Sequence, residues 1–178
     1  IRYTASEKPE SFDEHCGRIK RTLVSAYGSR QFPRLSYEPG RALVGEAGTT
    51  LYRVGAIKET PFRKYLSVDG GMADNLRPQL YGASYVAMNA DRLSEPHDTG
   101  FRISGRHCET DTLISEAFLP ATTSEGDLIA VQCTGAYNFS MASNYNRYPR
   151  PAMAIVGEAD PFLAVRRETI ADLFAQEL

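Results

Sequence analysis

The sequence predicts a mixed α and β protein, a short α/β segment joined to a mainly antiparallel β-barrel or sandwich domain. Three observations carry this. Residues 10–28 hold apolar side chains at helical spacing between a start and a stop signal. A Pro-Gly turn follows at Glu38-Pro39-Gly40-Arg41. From about residue 49, short runs rich in Val, Ile, Leu, Tyr and Thr alternate with turn residues.

The helix is read from its ends inward. Ser11 and Glu14 form a capping-box signal, Phe12, Cys16, Ile19, Leu23 and Tyr27 recur three and four apart, and Gly28 is placed to stop the helix. Leu35 to Tyr37 then reads as a short strand running into the Pro-Gly turn, the texture of one α/β repeat. Strands are expected at 49–59, 64–69, 84–89, 111–116, 127–133 and 152–156, and a last helix at 168–178 with Ile170, Leu173 and Phe174 on one face. The division falls near residue 48, giving segments 1–48 and 49–178.

Composition narrows the function. The 178 residues are 42% hydrophobic and 24% charged, with net charge −2. That balance gives no reason to expect nucleic acid or an anionic membrane as partner. Apolar runs fall far short of the ~20 residues that span a bilayer. Cys16, Cys108 and Cys133 are odd in number and widely spaced, which suits a reducing, cytoplasmic setting rather than a disulfide framework or a zinc knuckle. His15, His97 and His107 share no ligand spacing, so no metal is expected. Sixteen arginines stand against four lysines, Lys8, Lys20, Lys58 and Lys64. The chain opens at Ile1 rather than Met, which raises the expectation of a missing N-terminal part.

Four segments carry candidate chemistry. In Glu38-Pro39-Gly40-Arg41, glycine lets backbone approach a ligand, residues 41–47 could start a helix with N–H groups facing an anion, and Arg41 offers a planar fork for carboxylate or phosphate. Val68-Asp69-Gly70-Gly71-Met72 leads to Arg77 and Tyr81. Its glycines permit a tight turn or close approach to a cofactor, and the four-residue spacing would put Arg77 and Tyr81 on one helical face gripping an anion. Gly105-Arg106-His107-Cys108-Glu109 sets a thiol beside a carboxylate in a polar turn. A thiol of pKa about 8.5 donates protons near neutrality, whereas Cys16 and Cys133 read as core residues. Gly135-Ala136-Tyr137 closes the 127–133 strand and opens the polar run Ser140-Met141-Ala142-Ser143-Asn144-Tyr145-Asn146, a common arrangement at the mouth of a site. Plainer readings stand beside these: a Pro-Gly turn with a surface arginine, a hairpin turn with a solvated arginine and a packing tyrosine, a surface or supporting His107, and a loop with one core tyrosine.

Their order is what singles them out. E-P-G-R, V-D-G-G-M-x-D-x-x-R-P-x-L-Y, G-R-H-C-E and G-A-Y-x-x-S-M-A-S-N-Y-N together resemble the second half of the diaminopimelate decarboxylases. These are fold-type III pyridoxal-phosphate-dependent decarboxylases. The resemblance implies that 1–48 is the last part of a (β/α)8 barrel and 49–178 a β-barrel domain of the alanine-racemase C-terminal type. It implies pyridoxal 5'-phosphate held by Glu38, Pro39, Gly40, Arg41 and Tyr137. It further implies a small amino-acid substrate bound by Arg41, Arg77, Tyr81, Glu109 and Tyr137. Cys108 would be the catalytic proton donor, serving the neighbouring subunit of a homodimer. The activity implied is decarboxylation of meso-2,6-diaminopimelate to L-lysine, the last step of lysine biosynthesis. The family's Schiff-base lysine would lie upstream in the barrel half, so these residues alone are expected to be inactive. Two alternatives remain: a sister decarboxylase acting on carboxynorspermidine or a basic amino acid, and a non-catalytic dimerising module.

Overall fold

The computed structural model describes residues 7–28, 30–31 and 34–178; Ile1 lies outside them. Helix α1, Phe12–Tyr27, begins as its capping box dictates: the Ser11 hydroxyl accepts from the Glu14 N–H at 3.2 Å and the Glu14 carboxylate accepts from the Ser11 N–H at 2.8 Å. Gly28, at φ 61°, ends it by donating its N–H to the Val24 carbonyl. None of its residues is buried. Its apolar face meets no buried layer among the described residues, and the Phe12 ring lies tilted against Tyr37, with centroids 6.1 Å apart. Cys16, expected in a core, is therefore exposed.

The strand expected at Leu35 to Tyr37 does not form. Residues 34–39 are irregular and exposed apart from half-buried Pro39, because a strand exists only through a neighbour's backbone groups and none pairs with them among the described residues. One helical turn follows, α2, Arg41–Val44.

From residue 49 the chain is sheet. Strands β1 (Thr49–Glu59) and β2 (Lys64–Val68) precede a short helix, α3 (Arg77–Tyr81). Then come β3 (Ala87–Asn89), β4 (Thr99–Ser104), β5 (Thr112–Leu119) and β6 (Leu128–Gln132). They form one sheet in the order β3-β6-β1-β2-β4-β5, antiparallel throughout except for the parallel pair β2 and β4. The edge strands β3 and β5 approach each other, so the sheet curls into a nearly closed barrel. Strand β1 makes the corner: residues 49–53 pair with β6, residues 54–59 pair with β2, and an irregularity between Val54 and Ala56 bends the strand between its two partners.

Period-two alternation fills this barrel. Tyr52 and Val54, Leu66 and Val68, Phe101 and Ile103, and Ile129 and Val131 all point inward and are almost sealed from water. Each such side chain contributes roughly 1.5–3 kcal/mol by burial. The expected strand at 84–89 shrinks to three residues, and β4 lies where no strand was expected. Its sequence, Thr-Gly-Phe-Arg-Ile-Ser, alternates correctly, but Gly100 and Arg102 lower its strand propensity.

Beyond the barrel, β7 (Met153–Ile155) and β8 (Phe162–Val165) form an exposed two-stranded ribbon, and β8 too was unexpected. The last helix, α4, is one turn, Ile170–Leu173, rather than 168–178. Thr169 and Asp172 cap its start, but Ile170 is 69% exposed, and a helix with no buried face does not propagate.

Candidate active site

Close packing between glycines brings the Pro-Gly segment to the end of β6. A Cβ on Gly135 would lie 1.8 Å from the Val44 carbonyl oxygen, and one on Gly48 would lie 2.2 Å from Gly135. The Gly135 N–H donates to the Gly45 carbonyl and the Thr134 N–H to the Gly48 carbonyl, each at 3.0 Å. Two residues beyond Gly135 the backbone turns at Tyr137, with φ 65°, a region that bulky side chains avoid. That turn aims the Tyr137 hydroxyl at Gly40, 3.2 Å from where a Cβ on Gly40 would stand.

Helix α3 supplies the other wall. The Arg77 guanidinium sits 5.1 Å from the Tyr81 ring centroid, as the i,i+4 spacing predicts, and 5.7 Å from that of Tyr137. Arg41, half-buried, joins from α2. Burial first, and the charge of Arg77 second, push its guanidinium below the usual arginine value, while Tyr85, Cys133 and Tyr137 act the other way. Arg77 Nε is buried without a hydrogen-bond partner among the described residues. Two guanidiniums near enough for one to depress the other, one with an orphaned donor, make a site that gains from an anion.

The anion would be held by side chains rather than by a fan of helix N–H groups. Helix α2 is a single turn, and the Ala42 and Leu43 N–H groups already donate to the Pro39 and Gly40 carbonyls at 3.1 Å. Glu38 is exposed and Pro39 half-buried at the entrance of this turn. Thus Gly40, Arg41, Arg77, Tyr81 and Tyr137 converge from widely separated positions in the chain.

Cys108 and Glu109 contact a different set of residues. Cys108 is exposed, and its N–H donates to Asn146 Oδ1 at 3.4 Å. Glu109 Oε1 accepts from the Tyr145 hydroxyl at 2.7 Å, a bond that raises the phenol above its usual pKa. The run at residues 143–148 is thereby a docking surface for the cysteine turn.

Beneath that turn lies a residue that the sequence reading missed. Asp111 is buried, and its carboxylate accepts four hydrogen bonds: from Met72 N–H (2.8 Å), Gln79 Nε2 (3.2 Å), His107 N–H (3.2 Å) and His107 Nδ1 (2.6 Å). The glycines around it are there for this network. A Cβ on Gly71 or Gly105 would fall 2.0 Å from Asp111 Oδ2, and one on Gly70 would fall 2.2 Å from the Tyr52 ring. Gly70 and Gly71, expected to permit a tight turn or close approach to a cofactor, form a turn in which the Asp74 and Asn75 N–H groups donate to the Gly71 carbonyl, and they make room for the carboxylate and the tyrosine. The Tyr52 hydroxyl donates in turn to Asp74 Oδ2 at 2.6 Å, and Asp74 Oδ1 accepts from the Gly71 N–H at 2.7 Å. The only hint in sequence was a carboxylate four residues after a histidine in a glycine-bounded turn.

Comparison with known proteins places the fold in a family. Residues 3–135 match a family model described as pyridoxal-dependent decarboxylase, C-terminal sheet domain. A diaminopimelate decarboxylase of Bacillus subtilis is 49% identical over 183 residues, covering 100% of this chain and 41% of that protein. The crystal structure of the M. jannaschii diaminopimelate decarboxylase in complex with L-lysine superposes with a TM-score of 0.89 at 33% identity, over 99% of this chain and 40% of that one. The Helicobacter pylori enzyme complexed with L-lysine gives 0.82 at 29% identity, over 99% of this chain and 42% of that one. The chain therefore spans about two fifths of the length of these relatives. On the match to three quarters of its residues and on its barrel, the chain belongs to the pyridoxal-dependent decarboxylase family, whose C-terminal sheet domain it carries.

Proposed function

We propose that this chain is the C-terminal part of a pyridoxal-phosphate-dependent enzyme that decarboxylates meso-2,6-diaminopimelate to L-lysine. The observation that carries the proposal is the meeting of Arg41, Arg77, Tyr81 and Tyr137 around Gly40. The site fits a phosphorylated cofactor. Gly40 leaves bare backbone under the Tyr137 hydroxyl, where a Cβ would intrude, and the paired guanidiniums need anionic company. In this reading Glu38, Pro39, Gly40, Arg41 and Tyr137 hold the cofactor's phosphate end. When bound, pyridoxal phosphate supplies the electron sink for loss of CO2.

The remaining residues act on substrate. Diaminopimelate carries a carboxylate and an ammonium at the end that does not react. Arg41 and Arg77 pair with that carboxylate, Tyr81 and Tyr137 flank it, and Glu109, oriented by Tyr145, takes the ammonium. The carbon that loses CO2 needs a proton, and the exposed Cys108 thiol delivers it. Cys108 and Glu109 stand on a turn apart from the arginine group, which suits delivery into the neighbouring subunit of a homodimer. Residues 1–48 belong to the barrel half in this reading, supported by the bare apolar face of α1 and the unpaired segment 34–39. These residues alone are then catalytically silent, and the enzyme works in the cytoplasm, where its thiols stay reduced.

The test is CO2 release by the full-length chain with pyridoxal phosphate. Diaminopimelate should be preferred over ornithine and carboxynorspermidine, Arg77→Met should raise KM for it at least tenfold, and Cys108→Ala should abolish turnover. Preference for ornithine, or an unimpaired Cys108→Ala enzyme, defeats the proposal.

A further inference from the structure

We propose that the buried His107–Asp111 pair is a positioning device that fixes the Cys108 thiol and the Glu109 carboxylate for their work. The proposal rests on the reading of Cys108 and Glu109 as functional groups and adds the residues that aim them. Both side chains of the pair are essentially sealed from water, at 0% and 2% exposure, although neither residue enters the arginine site.

The geometry is a clamp on either side of Cys108. On its N-terminal side, His107 donates from both its backbone N–H and Nδ1 to Asp111 Oδ2. The tautomer follows from the partner, since a carboxylate only accepts. The imidazole is further wedged between two rings, stacked on Tyr145 at 5.9 Å and edge-on to Tyr148 at 5.4 Å. On its C-terminal side, Glu109 is tied to the hydroxyl of the same Tyr145. The cysteine's own N–H is tied to Asn146, which holds a left-handed φ of 55°. Cys108 thus stands exposed on a turn whose neighbours are locked, the arrangement that precise proton delivery requires.

Asp111 extends the clamp to the substrate helix. Its Oδ1 accepts from Gln79 Nε2 on α3, two residues from both Arg77 and Tyr81, and from the Met72 N–H. With four donors its acceptor capacity is filled. One carboxylate therefore holds the Cys108 turn and the Arg77 helix in fixed relation.

The experiment uses the full-length enzyme with pyridoxal phosphate. His107→Phe keeps a ring between Tyr145 and Tyr148 and the backbone N–H to Asp111 but loses the side-chain donor; His107→Asn keeps an N–H near the Nδ1 position but gives up the ring. His107→Phe is expected to lower kcat for diaminopimelate by about 10- to 100-fold and to raise KM several-fold through the loosened Glu109, with cofactor absorbance little changed. His107→Asn is expected to recover most of that loss. The rate of Cys108 alkylation by iodoacetamide, read on its peptide by mass spectrometry, should rise several-fold in His107→Phe and stay near wild type in His107→Asn. A Phe enzyme with wild-type kcat and alkylation rate, or an Asn enzyme no better than Phe, overturns the proposal. If Cys108→Ala keeps full turnover, the donor assignment fails by itself, and the alkylation rates still decide whether His107 positions the thiol.

Discussion

The Tyr137 hydroxyl stands 3.2 Å from the point where Gly40 would carry a Cβ, and both residues hold positive φ, 65° and 48°. Two left-handed backbones, almost a hundred residues apart, face each other across the site, and only that of Tyr137 is strained. Gly40→Ala should therefore act locally. The backbone penalty for an L side chain there is about 1–3 kcal/mol, and the methyl also pushes the tyrosine ring away. In the full-length enzyme, pyridoxal phosphate affinity measured by fluorescence titration should fall about tenfold or more. The melting temperature without cofactor should move only a few degrees. Unchanged affinity would mean that the cofactor does not use this approach.

Gly135 answers to a harder constraint. Its missing side chain faces a backbone carbonyl, that of Val44, at 1.8 Å, and backbone cannot rotate aside as a side chain can. Gly135→Ala should separate α2 from the end of β6 and cost more than about 3 kcal/mol. Thermal or urea unfolding of the full-length protein measures this. A destabilisation below about 1 kcal/mol would contradict the packing.

Two carboxylates, Asp127 buried and Asp74 half-buried, should give opposite acid responses. Arg92, hydrogen-bonding Asp127 at 2.8 Å, holds that carboxyl well below its ordinary value of 3.8, with Asn89 and Ser124 assisting. Its contribution is present above the unfolded value and is lost as pH falls below it. Asp74 lies the other way: burial raises its carboxyl above 3.8, outweighing the Tyr52 and Gly71 hydrogen bonds. Its contribution is present below 3.8 and fades as pH rises through the raised value. Unfolding followed from pH 7 to pH 3 should therefore show a shallower acid loss in Asp127→Asn than in wild type, and a steeper one in Asp74→Asn. Parallel curves for all three would refute the assignment.

Most of the barrel was legible because its signals are local. Strand β1 runs from Thr49 to Glu59 as its residues predicted, and α1 sits between Ser11 and Gly28 because capping and stop chemistry need no tertiary partner. Strand β4 escaped notice through Gly100 and Arg102, and the helix expected at 168–178 dwindled to one turn because no layer covers Ile170. Asp111 was invisible for a different reason. Its four donors come from residues 72, 79 and 107, and a buried polar network has no linear signature.

By itself the amino-acid order determined helix α1 and most of the barrel strands, and it marked four segments as candidates for chemistry. Each of these depends on neighbours along the chain: period, caps, turns and motif. Only the tertiary structure decided which segments meet. It set Tyr137 over Gly40, ranged Arg77 beside Arg41, seated the Cys108 turn on Tyr145 and Asn146, and packed Gly70 and Gly71 against Tyr52 and Asp111. Those meetings follow from the curl of the sheet and from packing against bare glycine backbone, and both join residues that no spacing along the chain relates.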